Sequence, residues 1–141
     1  ENKISFHRDY DPSIPEIECD GEQLIQAILN IVRNAMQALG GEGWITLRSR
    51  TLRQFTIGKK RHRLVLRIDI EDQGPGIPPD ILENIFLPMI SGRAEGTGLG
   101  LSISQSIVTQ HEGLIECSSV PGSTVFSLYL PFREEGTNNE N

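Results

Sequence analysis

The hydrophobic pattern of the chain predicts five strands and three helices. Apolar residues alternate with polar ones in the strand-like segments and recur every three or four positions in the two long helical segments. The strands are predicted over residues 3–10, 44–53, 64–71, 114–120 and 124–130, and the helices over 20–39, 79–84 and 99–110. Strands that are adjacent in sequence favour antiparallel pairing, with the helices stacked on one face. The order of elements therefore predicts an α/β two-layer sandwich.

The first long helix has two chemically different faces. Asp20 is a good N-cap, and Gly40 is a good stop after the last turn. Asn30 and Asn34 are four residues apart, so both project from one face, close to Arg33. Amide oxygens can ligate Mg²⁺, amide nitrogens can donate to phosphate, and arginine can pair with phosphate oxygens. Taken alone, this face is more readily explained as an ordinary solvated surface.

A second candidate feature follows the apolar strand over residues 64–71, in the segment Asp72-Gln73-Gly74-Pro75-Gly76-Ile77. A carboxylate at a strand end can accept a hydrogen bond from an exocyclic amine such as that of adenine. The two glycines allow positive φ and a close approach of the backbone to a flat ring. A plain turn has the same composition, so this segment alone does not decide between the two.

The third feature is Gly96-Thr97-Gly98-Leu99-Gly100-Leu101, which opens the second long helix. Unpaired amides at a helix N-terminus attract phosphate, and glycines remove the side chains that would block it. The segment lacks the lysine of a P-loop, and a long loop over residues 86–97, rather than a strand, precedes it. A glycine-rich match of this kind is weak by itself.

Composition and charge restrict the classes of function. The chain has 141 residues and a net charge of −6, which suits one domain and argues against a nucleic-acid surface. The basic run at residues 59–63 is expected to be a solvated hairpin loop. The chain shows no apolar run long enough for a membrane span, two cysteines without metal-ligand spacing and no histidine cluster. We expect residues 1–132 to form a cytoplasmic domain without membrane contact, and residues 133–141 to form a disordered tail. Because the chain opens with Glu1, we also expect it to come from a longer parent protein.

Taken in this order and at this spacing, the three features resemble the asparagine box and the two glycine boxes of the Bergerat-fold ATPases. This group contains histidine kinases, gyrase B, Hsp90 and MutL. Residues 86–89 resemble the phenylalanine box of histidine kinases, and residues 29–35, 88–93 and 129–131 resemble the nitrogen regulation sensor kinases. The resemblance spans residues 3–132. It implies a Bergerat fold, in which helices cover one face of a mixed, mainly antiparallel sheet.

The resemblance also implies a site for ATP and Mg²⁺. Asn34 would coordinate the Mg²⁺, Asn30 would assist at the triphosphate, and Asp72 would bind adenine. Residues 86–97 would form a mobile lid over the nucleotide. The other implied contacts line the adenine pocket or meet the phosphates, and they are Arg33, Gly74, Gly76, Ile77, Arg93, Gly96, Thr97, Gly98, Leu99, Gly100 and Leu101.

By the same resemblance, the chain would be the catalytic, ATP-binding domain of a sensor histidine kinase. It would donate the γ-phosphoryl group to a histidine on a separate dimerisation domain, and a response regulator would then receive the group. A PII-type signal protein would tune kinase against phosphatase activity. His7, His62 and His111 do not stand in a phosphoacceptor motif, so we expect them to be structural or surface residues and the acceptor histidine to lie elsewhere.

Position 30 distinguishes this expectation from its alternatives. The resemblance implies that hydrolytic members of the group carry at this position a glutamate that activates water. Asn30 has no basicity, so fast hydrolysis is not expected. A gyrase- or Hsp90-type ATPase, an anti-sigma-type protein kinase of the same fold, and a non-catalytic binding module that responds to nucleotide remain the alternatives.

Overall fold

Residues 3–87 and 100–133 are described by the computed structural model. Within these residues, five strands form a sheet in the order β1-β2-β3-β5-β4. In chain order the elements are β1 (Lys3–Asp9), α1 (Gly21–Leu39), β2 (Glu42–Ile57), β3 (Lys60–Asp72), α2 (Pro79–Leu82), α3 (Gly100–Gln110), β4 (Leu114–Val120) and β5 (Ser123–Pro131). No helix in the described ranges is long and apolar enough to cross a membrane.

The pairing of the strands is mixed and mainly antiparallel, as predicted. β1 runs parallel to β2, because the chain returns to the sheet through α1, and a crossover of this kind joins parallel neighbours. The pairs β2–β3, β3–β5 and β4–β5 are antiparallel. The α/β sandwich predicted from the order of elements is therefore confirmed.

Helix α1 begins and ends at the residues that the sequence predicts. Asp20 Oδ1 accepts a hydrogen bond from Gln23 N at 3.2 Å, and Gly40 adopts the left-handed conformation, with φ of +68°. Asp20 therefore satisfies one of the amides left unpaired at the start of the helix. Gly40 ends the helix at low conformational cost, because it has no Cβ.

The core lies between the helices and one face of the sheet. Inward-facing side chains of β2, β3, β4 and β5 pack against the apolar stripe of α1 and the buried side of α3. The largest fully buried apolar residues of this core are Phe126, Ile31, Ile45, Ile70, Leu128, Leu130 and Val108. The opposite face of the sheet carries a group of paired charged residues, Arg48, Arg67, Asp69 and Glu71.

The basic run does not form the loop that the sequence predicts. β2 and β3 extend to Ile57 and Lys60, which pair with each other, so only Gly58 and Lys59 form the turn. Gly58 has φ of +62°, which is typical of tight hairpin turns. The extended hairpin is stabilised by Phe55, which stacks on Tyr129 with ring centroids 4.8 Å apart. The Lys and Arg side chains of the run are exposed, as expected, but His62 is buried, and all of these residues except Lys59 lie on a strand.

Helix α3 also corrects one prediction. The apolar spacing of the second long helix predicts that Ile103 is buried together with Leu101, Ile107 and Val108. Ile103 is instead 38% exposed, and its neighbour Ser104 is fully buried. The Ser104 hydroxyl donates a hydrogen bond to the carbonyl oxygen of Ala27 in α1 at 2.8 Å. The two helices lie so close at this point that a small hydrogen-bonded side chain fits there.

Candidate functional site

Helix α1 contacts both of the other segments that the sequence singled out. Asn30 Nδ2 donates to the carbonyl oxygen of Gly100, the first residue of α3, at 3.2 Å. Near the other end of α1, a Cβ on Gly74 would lie 3.2 Å from both the Cβ and the carbonyl oxygen of Ala38. These two contacts are eight residues apart on the helix, or about 12 Å at 1.5 Å per residue. The amide face, the start of α3 and the loop after Asp72 therefore border one region.

The amide face is half-buried rather than fully solvated. Asn30 and Asn34 are both partly accessible, and the exposed Arg33 donates from Nη1 to Asn30 Oδ1 at 3.3 Å. This contact orients the Asn30 amide so that its nitrogen faces α3 and its oxygen faces the guanidinium of Arg33. Neutral amide oxygens of partly accessible side chains are suitable ligands for Mg²⁺, which keeps several waters and binds few protein groups. In the described part of the chain, no group of three or more His, Cys, Asp or Glu residues could hold a metal by itself.

Asp72 lies where the sequence predicts it, at the end of a buried strand. It is the last residue of β3, is only 1% exposed and faces the helices. Its Oδ1 accepts a hydrogen bond from Gly74 N at 2.7 Å, which fixes the carboxylate and shapes the loop. Burial, followed by the negative charge of Asp72, raises the pKa of the Cys117 thiol to about 12. Cys117 is therefore a neutral thiol beside this carboxylate at physiological pH.

Gly74 and Gly76 are needed for packing against protein, and the positive φ that the sequence suggests is found only at Gly76. A side chain on Gly74 would contact Asp72 and Ala38, and Gly74 does not have positive φ. Gly76 does have positive φ, at +93°, and a Cβ there would lie 3.0 Å from the carbonyl of Val120. The two glycines therefore let the loop fit between α1 and the turn that joins β4 to β5.

Two polar residues in this region, Ser119 and Thr124, are not predicted as site residues from the sequence. Ser119 Oγ accepts a hydrogen bond from Ile77 N at 2.9 Å and lies 2.6 Å from Thr124 Oγ1. Thr124 is 3% exposed and pairs directly with Asp72 across β3 and β5. Both residues occupy inward positions on strands that are otherwise apolar on that side. This break in the alternation was the signal that could have revealed them.

Comparison with known proteins identifies the family. The sequence profile described as histidine kinase-, DNA gyrase B-, and HSP90-like ATPase matches residues 19–134. The chain belongs to this family. The three segments that meet at α1 lie within the matched region, and ATP is the nucleotide that a member of this ATPase family binds.

Curated relatives and solved structures place the chain among histidine kinases. It is 59% identical to the sensory histidine kinase/phosphatase NtrB of Salmonella typhimurium over 134 residues, which are 94% of this chain and 38% of that protein. Identity to the NtrB of Rhodobacter capsulatus is 44%, over 87% of this chain and 36% of that protein. The chain thus spans a little more than a third of the length of these relatives.

The fold agrees with solved catalytic domains of the same kind. The catalytic domain of histidine kinase ThkA, in a nucleotide-free form, is 30% identical and superposes with a TM-score of 0.76 over 92% of this chain and 79% of that chain. Full-length ShkA in complex with AMPPNP is 25% identical, with a TM-score of 0.72 over 92% of this chain and 26% of that one. Within its family, the chain is a histidine kinase catalytic domain.

Several residues of the family's second glycine box and lid lie outside the described ranges. These are Arg93, Gly96, Thr97, Gly98 and Leu99, together with most of the predicted lid over residues 86–97. Gly100 begins α3 against Asn30, and Leu101 is half-buried against the core. The predicted disordered tail also lies outside the described ranges from residue 134 onward.

The histidines have structural or surface positions, as predicted. His111 Nε2 accepts a hydrogen bond from Asp20 N at 3.0 Å, and its Nδ1 lies 2.8 Å from the carbonyl oxygen of Ile107. The ring therefore connects the start of α1 to the end of α3. The exposed His7 stacks on Trp44, and His62 is buried within the β2–β3 hairpin. His111 and His7 therefore make contacts within the fold, and His62 is packed inside the hairpin.

The open face of the sheet carries a paired charge network around Asp69. This residue is 1% exposed and accepts hydrogen bonds from Arg67 at 3.0 Å, Arg48 at 3.3 Å and Ser127 at 2.7 Å. Burial by itself raises the pKa of the Asp69 carboxyl, but the hydrogen bonds from Arg67 and Ser127 outweigh it, so the net pKa lies below the usual value of 3.8. The network lies on the sheet face opposite the helices.

Proposed function

We propose that the chain is the ATP- and Mg²⁺-binding catalytic domain of a two-component sensor histidine kinase of the nitrogen regulation type. In the parent protein it would present the γ-phosphoryl group of ATP to a histidine on a separate dimerisation domain. A response regulator would then receive the group, and a PII-type signal protein would bias kinase against phosphatase output. We place the domain in the cytoplasm, where ATP and response regulators are found.

One contact supports this proposal most directly, the hydrogen bond from Asn30 to Gly100. It connects the amide face of α1 to the start of α3, where helix amides would meet phosphate oxygens. Asp72 lies at the other end of the same region, where its carboxylate would accept from the adenine amine. A nucleotide lying along α1 would thus have its base near Asp72 and its triphosphate near Asn30.

We propose a role for each predicted site residue in this arrangement. Asn34 would hold Mg²⁺, which when bound neutralises charge on the triphosphate. Arg33 orients Asn30 and would add positive charge, while Gly74, Gly76 and Ile77 shape the base pocket. The remaining proposed contacts to the phosphates come from the second glycine box and the lid, and they are Arg93, Gly96, Thr97, Gly98, Leu99, Gly100 and Leu101.

The identity of residue 30 favours phosphoryl transfer over hydrolysis. An amide cannot take a proton from water, so position 30 supplies no general base. The domain would hold ATP until a nucleophile from another domain arrives, and positioning would supply most of the catalysis. A gyrase- or Hsp90-type ATPase and an anti-sigma-type kinase are the alternatives.

A reconstitution with separate domains tests the proposal. The chain is mixed with radiolabelled Mg-ATP and the histidine-containing helical part of Salmonella typhimurium NtrB. We expect an acid-labile, base-stable phosphohistidine on the helical part and negligible phosphate release by the chain alone. Steady phosphate release without a partner would indicate an ATPase instead. Phosphorylation of serine on an added protein would indicate an anti-sigma-type kinase, and saturable binding without either activity would indicate a binding module.

A further inference from the structure

The loop after Asp72 is held in place by the turn between β4 and β5. Gly122 N donates to the carbonyl oxygen of Gly74 at 2.9 Å. Gly76 packs so closely on Val120 that a Cβ would lie 3.0 Å from the Val120 carbonyl carbon and oxygen. The loop that would line the base pocket therefore depends on a turn that is more than forty residues further along the chain.

Ser119 is the side chain that completes this attachment. Its Oγ accepts from Ile77 N at 2.9 Å and lies 2.6 Å from Thr124 Oγ1. Thr124 pairs directly with Asp72, and both side chains are buried on the helix-facing side of the sheet. Directly opposed residues in a sheet have Cβ atoms about 4.5–5.5 Å apart, so Thr124 is the lateral neighbour of the carboxylate. One hydroxyl therefore joins the base-pocket loop to the residue beside Asp72.

The preceding residue supplies a matched control. Ser118 lies on the same strand, but successive side chains point to opposite faces, so it faces the open side of the sheet. It is exposed, whereas Ser119 is only partly accessible. Ser118 pairs with Val125, and Ser119 pairs with Thr124. The same substitution at the two serines thus removes the same hydroxyl from the two faces of one strand.

We propose that Ser119 is a positioning residue for recognition of the purine 6-amino group. This inference rests on the proposed ATP-binding function and assigns a further residue to the same site. Ser119 fixes the Ile77 amide and Thr124 relative to each other. The loop and the Asp72 carboxylate therefore stay at a fixed distance from each other around the base. Without its hydroxyl, the loop and the carboxylate lose this common anchor. The recognition of an amine, which depends on hydrogen-bond geometry, is weakened more than ring stacking or phosphate binding.

The test compares two nucleotides that differ only in the 6-amino group. Mg-ATP and the Mg complex of purine riboside triphosphate are titrated calorimetrically into the chain and its Ser119→Ala, Ser119→Thr and Ser118→Ala variants. Loss of a well-placed hydrogen bond corresponds to roughly a tenfold change in affinity. We therefore expect Ser119→Ala to weaken ATP binding about tenfold while changing the affinity for purine riboside triphosphate less than about twofold. Ser119→Thr keeps a hydroxyl and is expected to restore the preference, and Ser118→Ala is expected to bind both nucleotides like the unmodified chain.

Each result separates this inference from the proposed function. If the unmodified chain binds neither nucleotide, the proposed function fails. If it binds ATP and Ser119→Ala binds equally well, or loses the same factor for both nucleotides, then Ser119 does not position the amine contact and the inference is wrong. If Ser119→Ala does not fold, Ser119→Cys takes its place, because the thiol has a similar shape but accepts hydrogen bonds weakly. The same difference between the two nucleotides is then expected.

Discussion

At the scale of single residues, Asp72 combines burial with a proposed role that requires a charge. A buried carboxylate is costly unless hydrogen bonds compensate for its lost hydration, and the amide of Gly74 provides one at 2.7 Å. The sequence allowed Asp72 to be predicted at a strand end, because the preceding apolar alternation is regular. It did not allow Ser119 or Thr124 to be linked to it, because their proximity depends on strand pairing between distant segments.

Replacing Asp72 by asparagine tests the proposed adenine contact. The amide can still accept from Gly74 through Oδ1, so we expect the chain to remain folded. Its NH₂ group would face the adenine amine, donor against donor, and ATP binding should weaken by at least about tenfold, since a hydrogen bond to a charged group contributes roughly 1.5–3 kcal/mol. Titration calorimetry measures the affinity, and Asp80→Asn, at an exposed position in α2, is the control. Unchanged affinity in Asp72→Asn would refute the contact.

Asp69 allows a second prediction at this scale, concerning stability alone. In Asp69→Asn, Arg48 and Arg67 lose a buried charged partner, although both arginines are partly exposed and can be hydrated. We expect the free energy of unfolding to fall by about 1–3 kcal/mol, with ATP affinity unchanged. Urea denaturation at neutral pH measures the loss. In the control Asp9→Asn, the carboxylate that pairs with Arg48 and Arg50 is 54% exposed, and a change within about 0.5 kcal/mol is expected. Equal losses in the two variants would contradict the prediction.

At the scale of elements, the sequence located every helix and strand of the described ranges but misjudged some of their lengths. α1 was predicted well because Asp20 and Gly40 are strong local signals. The β2–β3 hairpin was predicted too short, because the basic residues near its tip resemble a loop in composition. Cross-strand packing such as Phe55 on Tyr129 favours the strand, and this contact is not local in sequence. The burial of Ser104 instead of Ile103 likewise depends on the close approach of α1 and α3.

Gly113 allows a prediction about how α3 joins β4. A Cβ at this position would collide with the carbonyl oxygen of Tyr129 on β5 and would lie 3.0 Å from Val108 Cγ1. Because the obstacle is backbone, Gly113→Ala must displace the strand or the end of the helix, and we expect a loss of at least about 2 kcal/mol in the free energy of unfolding. Gly21→Ala is the matched control, since nothing lies within 4 Å of its added methyl group. A thermal or urea denaturation series that gives equal stabilities would refute this packing.

At the scale of the whole molecule, the order of segments carried more information than any one of them. The amide face, the Asp72 loop and the glycine-rich segment were each weak signals, yet the chain brings α1 into contact with both other segments. The family profile covers all three. The parts of the proposed activity that need other domains could not be derived from this chain, since it spans 38% of its Salmonella relative.

The pH dependence of stability follows from the lowered pKa of Asp69. A carboxyl whose pKa is lower in the folded state contributes stability that is fully present above its unfolded pKa and is lost as the pH falls through the folded pKa. The usual value is 3.8, so we expect the free energy of unfolding to decrease as the pH is lowered below about 4. Urea denaturation between neutral and acidic pH tests this for the chain and for Asp69→Asn, which should show a shallower acid decrease. Parallel curves would show that Asp69 is not responsible.

The most direct test of the central claim is a calorimetric titration of the folded chain with Mg-AMPPNP. If the amide face of α1, the Asp72 loop and the start of α3 bind one nucleotide together, the titration must saturate with a single site per chain. The same titration with Asp72→Asn must then show weaker binding. Circular dichroism verifies that the protein is folded. If the folded protein then gives neither heat nor saturation over a range of temperatures, the claim that these three segments bind one nucleotide is contradicted.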